Sequence, residues 1–209
     1  MKITALLLAA GESKRLGVNK LLLDMGGETL VERVVDVLLQ SQVDEVLVVA
    51  GFEAELVRQR LQGKPIRLVL NRHYQEGMAS SFRVGVSHVD PAADGVLIAL
   101  ADHPWLTSET VDRLIDAYRG TSKGIVCPTY RGMRGHPVIF NGKRYRGPLS
   151  KLRGDIGGRR LIEGHRDDLL EVPVDSPGVI RDIDRWEDYE IAKKMTAEKA
   201  AQADEKGEC

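Results

Sequence analysis

Apolar runs without internal polar breaks alternate with segments of helical spacing through the first two thirds of the chain, and this alternation restricts the fold more than any other feature. Residues 3–9 (ITALLLA) are apolar apart from one threonine, as expected of a parallel strand covered on both faces. Residues 29–40 (TLVERVVDVLLQ) then place apolar side chains at Leu30, Val31, Val34, Val35, Leu38 and Leu39, the spacing of an amphipathic helix. Strands are predicted at 45–50, 66–70 and 95–101, with helices at 53–62, 77–89 and 107–118, where Thr107 or Ser108 caps the last. Two more strands fit 124–128 and 136–140 around the hairpin-like YRGMRG. A short helix follows at 159–163, a late strand at 169–174 and a final helix at 185–196. Strand and helix alternating at this interval predict an α/β fold: one domain over 1–195, with a mostly parallel, Rossmann-like sheet and helices on both faces. Residues 196–209 are small, charged and without period, and read as a solvated tail.

The chain has 209 residues, enough for one such domain with a sizeable core. Its net charge of −1 offers no global field for nucleic acid or an anionic membrane, so an anionic ligand must be held by local cations and backbone dipoles. No apolar stretch approaches the roughly 20 residues of a membrane span. The two cysteines, Cys127 and Cys209, argue against a disulfide framework and for a reducing compartment; the expectation is a cytoplasmic protein. A working monomer is also expected.

In an open α/β sheet, ligands sit beyond the carboxyl ends of the strands. The first strand runs out into Leu8-Ala9-Ala10-Gly11-Glu12-Ser13-Lys14-Arg15-Leu16-Gly17, with Lys20 three residues on. Small residues let backbone N–H groups approach a ligand, and Arg15 and Lys20 add positive charge. The spacing fits neither a Walker loop nor a dinucleotide GxGxxG. Taken alone, the loop equally suits a polar surface turn. Asp102 ends the fourth predicted strand, where a carboxylate either faces the same ligand space, as Mg²⁺ sites require, or simply forms a turn. Asp182 and Asp184 would share one side of an extended segment, or act as an acidic helix start. Gly77, Ser80 and Ser81 open a helix, where serines serve as caps or as contacts to a base.

Leu8, Ala9, Ala10, Gly11, Ser13, Arg15, Gly17 and Lys20 fill a pattern, LAAG-x-S-x-R-x-G-x-x-K, that resembles the N-terminal motif of the MobA-like NTP transferases, on the side of the molybdenum cofactor cytidylyltransferases. The wider group includes sugar-phosphate and methylerythritol-phosphate nucleotidyltransferases. The resemblance implies the nucleotide-diphospho-sugar transferase type of fold, and a Mg²⁺-dependent transfer of NMP from a nucleoside triphosphate to a phosphorylated acceptor. It implies that Asp102 of Asp102-His103-Pro104 and Asp184 hold the metal, with Asp182 close behind, and that Arg15, Lys20 and Asp102 are catalytic. His103 stands at a variable position of that motif. Gly77, Ser80 and Ser81 would lie by the nucleotide, and Arg134, His136, Asp155 and Arg159 by the acceptor. Where the family reads Thr-Pro after the second aspartate, this chain has Arg185-Trp186. Leu-Ala-Ala-Gly, in place of the Leu-Ala-Gly-Gly of guanylyltransferases, implies CTP as donor and molybdopterin as acceptor, with a molybdoenzyme as client. Rival expectations are a sugar-phosphate nucleotidyltransferase, a non-catalytic nucleotide-binding regulator and a flavin or NAD protein.

Overall fold

The computed structural model describes residues 1–154 and 157–207, with side chains through 197. Period-two alternation in the opening strand decides how the layers form. In β1 (Ile3–Ala9), Ile3, Ala5, Leu7 and Ala9 enter one hydrophobic cluster and Leu6 and Leu8 another, so the strand is buried on both faces. The first cluster takes in α1 (Leu30–Leu39), α2 (Ala54–Arg60), α4 (Ser108–Arg119) and α7 (Trp186–Gly207); the second takes in α3 (Met78–His88), α5 (Gly142–Ser150) and α6 (Arg159–Gly164). Each fully buried Leu, Ile or Val on these faces contributes about 1.5–3 kcal/mol relative to exposure.

The eight-stranded sheet has the order β3 (Arg67–Leu70), β2 (Glu45–Ala50), β1, β4 (Gly95–Leu100), β7 (Val138–Asn141), β5 (Ile125–Tyr130), β6 (Met133–Arg134), with β8 (Leu169–Pro173) also paired to β5. The half β3-β2-β1-β4 is parallel, and β8 is parallel to β5. β7 runs antiparallel to both β4 and β5. The chain leaves β1 toward β2 but returns from β3 to β4 on the other side of β1. The seam between β1 and β4 is therefore the topological switch point, where such sheets bind ligands.

Local chemistry accounts for the helix starts. Glu32 accepts from the Thr29 N–H at 2.8 Å ahead of α1, and Thr107 Oγ1 accepts from the Thr110 N–H at 3.3 Å ahead of α4. Two differences from the sequence reading stand out. α5 was not predicted, because GKRYRGPLS has glycines, a proline and no apolar stripe beyond Tyr145 and Leu149; Asn141 starts it by accepting from the Arg144 N–H at 3.0 Å. α7 continues to Gly207, past the expected limit at 196, since the added residues are mostly Ala, Glu, Lys and Gln, which favour helix without needing an apolar face. No helix among the described residues is long and apolar enough to cross a membrane.

Candidate active site

The loop leaving β1 is shaped by two left-handed residues, Ser13 (φ 52°) and Gly17 (φ 73°). Ser13 Oγ accepts from the Lys20 N–H at 3.2 Å, and its carbonyl accepts from the Leu16 N–H at 2.9 Å, closing the loop on itself. Asn19 caps the turn that follows by accepting from the Leu21 N–H at 3.1 Å, and buried Leu21 anchors that turn in the core. The Lys20 side chain is thereby turned inward, with only 12% of it exposed.

Its ammonium meets three acceptors. It donates to Asp102 Oδ2 at 2.8 Å, to Asp184 Oδ1 at 3.1 Å and to the Ile183 carbonyl at 2.6 Å. Arg15 reaches the other oxygen of Asp184, Oδ2, at 2.6 Å. Asp102 stands two residues past the end of β4, where the Ala101 N–H donates to the Leu8 carbonyl at 3.1 Å and holds the two strand ends together. The segment carrying Asp184 is tied in by the Ile183 N–H, which donates to the Asp102 carbonyl at 3.0 Å, and by the fully buried Ile183 side chain. Asp188 Oδ2 accepts from the N–H groups of Asp184 (3.1 Å) and Arg185 (2.9 Å), supplying the helix start that Arg185-Trp186 cannot.

The charges balance unevenly. Burial opposes the Lys20 ammonium, but Asp102 and Asp184 outweigh it and raise its pKa above the ordinary value. Burial would likewise raise Asp102, yet Lys20 beside it holds the carboxyl below its usual range. Asp182 is pushed the other way, by burial and by repulsion from Asp102 and Asp184. One oxygen each from Asp102, Asp182 and Asp184 lie within 4.8 Å of one another. Asp102 Oδ1 is shielded from solvent and has no hydrogen-bond partner. Three crowded carboxylates, one with an orphaned oxygen, fit a hard divalent cation, which prefers oxygen ligands. Both Asp182 and Asp184 belong to the cluster, so the structure does not choose between them as second ligand.

Two cavities meet here. The smaller, about 110 Å³, is lined by the β1 loop from Leu8 to Gly11, by Ser13, Lys20 and Leu21, and by Met78, Leu100 and Asp102. The larger, about 820 Å³, shares Met78 and Leu100 with it and extends over Phe82, Phe140 and His136 to a charged rim. Arg134 lies on that rim paired with Glu171 (Nε–Oε1 2.5 Å), and Arg159 lies there paired with Glu163 at 2.9 Å. Asp155 falls outside the described residues. Gly77 (φ 95°) precedes α3. Ser80 and Ser81 are buried, and both hydroxyls accept from the Asn71 amide, at 2.8 and 3.1 Å. Neither lines either cavity. Sequence reasoning gave no role to Asn71 or Glu171; Asn71 could have been suspected as a polar residue closing an apolar strand, whereas nothing local marked Glu171.

Two buried groups of the larger cavity are electrically silent near neutrality. Burial, aided by His103, lowers the His136 pKa to about 4, and burial pushes the Cys127 thiol up to about 11. For His136 this links stability to pH. The unfolded imidazole takes a proton below about pH 6.5, while the folded one resists until about 4. Stability is therefore expected to fall as pH drops from 6.5 to 4. Urea titrations across that range check it: the slope should flatten in His136→Gln, and an unchanged slope would remove His136 as its source.

The chain matches the family described as MobA-like NTP transferase domain over residues 5–172. A curated relative, the nicotine blue oxidoreductase of Paenarthrobacter nicotinovorans, is 34% identical over 88% of this chain and 93% of its own length. The purine catabolism protein PucB of Bacillus subtilis is 29% identical over 90% of this chain and 94% of its own. Among solved structures, Rv0371c of Mycobacterium tuberculosis superposes with a TM-score of 0.84 at 32% identity, covering 93% of this chain and 98% of that one. The same protein has been solved in complex with manganese; that structure superposes at 0.78 with 29% identity, covering 93% and 99%.

Proposed function

The chain belongs to the MobA-like NTP transferase family, and from that premise we propose that it transfers CMP from CTP to a phosphorylated acceptor, molybdopterin in its molybdenum-loaded form, in a Mg²⁺-dependent reaction. The observation that carries this reading is the convergence of Lys20, Arg15, Asp102 and Asp184 at the switch point of the sheet. A large aromatic-lined cavity opens from the same place. Its volume, about 820 Å³, lies within the usual range for a site that encloses a small molecule.

In the proposed reaction a phosphate oxygen of the acceptor attacks the α-phosphorus of CTP. The bond from that phosphorus to the oxygen bridging to the β-phosphate breaks, and pyrophosphate leaves with the electron pair. A phosphomonoester is largely dianionic at neutral pH, its second pKa being about 6, so the nucleophile needs no general base. The protein's task is to bring two anions together. Backbone N–H groups of the Ala10–Ser13 stretch and the Lys20 and Arg15 cations would hold the triphosphate and offset charge on the departing pyrophosphate. Asp102 and Asp184, with Asp182 beside them, would hold the Mg²⁺, which when bound supplies positive charge to the phosphate oxygens. The apolar and aromatic wall of Phe82, Phe140 and Met78 would exclude water and seat a flat ring system.

CTP is favoured over GTP because a methyl at Ala10 narrows the donor pocket relative to a glycine. Ala10 lines the smaller cavity and is closely packed from behind, since a Cβ at Gly51 would fall 2.7 Å from its own Cβ. The test is a matrix of CTP, GTP, UTP and ATP against molybdopterin and common sugar phosphates, read as pyrophosphate released. CTP with molybdopterin should lead; a lead for GTP reverses the donor, and a lead for a sugar phosphate reverses the acceptor.

A second reading is favoured by one observation, the 34% identical relative called an oxidoreductase. On that reading the aromatic cavity would hold a pigment such as the one its name mentions. The three carboxylates around Lys20 have no part in hydride transfer, which places this reading second. Oxidation of NADH or NADPH by such a pigment, with no pyrophosphate released in the matrix, would promote it.

A further inference from the structure

Asp102 and the pair Asp182 and Asp184 come from segments 80 residues apart, and a short list of contacts holds the later segment against the earlier one. One backbone bond joins them directly, Ile183 N–H to the Asp102 carbonyl at 3.0 Å; a second, His136 N–H to the Val179 carbonyl at 2.7 Å, ties the later segment to the residues entering β7. A third is made by a side chain. His103, 6% exposed, places Nδ1 at 3.3 Å from the Gly178 carbonyl, while its Nε2 faces Asp102 Oδ1 at 3.9 Å. One ring thus spans from the start of the later segment to the carboxylate of the earlier one.

What surrounds the ring is unusual. Among the described residues, only two buried side-chain polar atoms lack a hydrogen-bond partner, Asp102 Oδ1 and His136 Nδ1. Both groups border His103: the Asp102 oxygen at 3.9 Å, and the His136 ring edge-on with centroids 5.7 Å apart. Unpaired buried polar atoms are costly, and their concentration around one side chain marks a place where the fold gives up stability for geometry. The Gly178 backbone that the ring contacts is itself close-packed. A Cβ at Gly178 would fall 2.1 Å from the Trp105 carbonyl oxygen, so this backbone has no room to move toward Trp105.

We propose that His103 is a positioning residue: its ring clasps Gly178 and thereby sets the separation of Asp182 and Asp184 from Asp102, leaving Asp102 Oδ1 without an internal partner and available to a divalent cation. Groups behind a metal ligand commonly fix its orientation in this way, and their loss typically costs about 10–100-fold in metal affinity. This inference rests on the cation-binding reading of Asp102 and Asp184 given above. It adds a residue to which the sequence motif assigned nothing.

The test uses two substitutions in the full chain. His103→Leu keeps a buried side chain of comparable bulk but removes the donor. His103→Asn keeps an N–H donor near the Nδ1 position. Mn²⁺ binding to the nucleotide-free protein is read by the loss of the free-ion paramagnetic resonance signal, and kcat and KM for CTP by pyrophosphate release. His103→Leu should weaken Mn²⁺ binding about tenfold or more and lower kcat, with KM for CTP little changed, and His103→Asn should recover most of both. Mn²⁺ affinity within about twofold of the parent in His103→Leu overturns the proposal, as does an Asn variant no better than Leu. If His103→Leu does not fold, the Asn variant decides alone, since a tenfold loss there is incompatible with a clasp made by the donor. Asp102→Asn is measured in parallel. Mn²⁺ binding that survives Asp102→Asn sinks the cation reading itself, whereas binding that needs Asp102 and ignores His103 sinks only this inference.

Discussion

Lys20→Met is expected to slow pyrophosphate release from CTP by about a hundredfold or more, while tightening Mn²⁺ binding to the nucleotide-free protein. The two effects have one origin. The Lys20 ammonium sits among the same carboxylate oxygens that a divalent cation would seek, at 2.8 Å from Asp102 and 3.1 Å from Asp184. A cation entering the empty-handed enzyme beside Asp102 Oδ1 meets the repulsion of that ammonium and shares its carboxylates, and removing the ammonium removes that competition. A triphosphate offers Lys20 a new partner, so binding of nucleotide and of cation should favour one another in the parent protein and less so in the variant. Pyrophosphate release and Mn²⁺ titrations with and without CTP measure both. Turnover within about tenfold of the parent would deny Lys20 its catalytic role. Weaker Mn²⁺ binding in the variant would deny the competition.

The second large effect is structural. Gly135→Ala should destabilise the fold by about 3 kcal/mol, near the upper end for overpacking, and lower the melting temperature by roughly 6–12 °C. A Cβ at Gly135 would lie 2.2 Å from the Val179 carbonyl oxygen and 2.9 Å from the Val179 Cβ. Both neighbours are fixed: the Gly135 N–H donates to the Pro128 carbonyl at 2.9 Å, and the Val179 carbonyl accepts from His136. Relief requires the 178–184 segment to retreat, which would carry Asp182 and Asp184 with it. Calorimetry reads the stability and Mn²⁺ binding the displacement. An Ala variant that melts with the parent would show that the segment yields more easily than its packing implies.

These residues also show what could be read from sequence and what could not. The layered α/β architecture was legible because burial on both faces leaves strands such as residues 3–9 without a polar period, while α1 carries a clear helical stripe. The first loop was legible because its spacing is local: Ser13, Gly17 and Lys20 act within one turn of chain. α5 was missed because its contacts are tertiary and its composition is that of a loop. For Ser80 and Ser81 the sequence leaves a cap and a ligand contact both open, since a hydroxyl carries no mark of its partner; both accept from Asn71 at the end of β3, and Ser80 also donates to the Gly77 carbonyl. The pairing of Arg134 with Glu171 joins residues on different strands and depends on register, which no short motif records. The clasp at His103 depends on the return of the chain 75 residues later.

The reversal of strand direction between β4 and β7 has a further consequence. Because β7 runs against β4, the Lys20 and Asp102 end of the site is made where strands exit the sheet, and the neighbouring wall is made by residues about to enter it, Gly135 and His136 among them. On the proposed function, the donor side and the acceptor side draw on separate stretches of chain, up to Asp102 and from about 125 to 172, with Asp182 and Asp184 returning to the donor side. On that proposal, variation in the later stretch would retool what is accepted without rewriting what is donated.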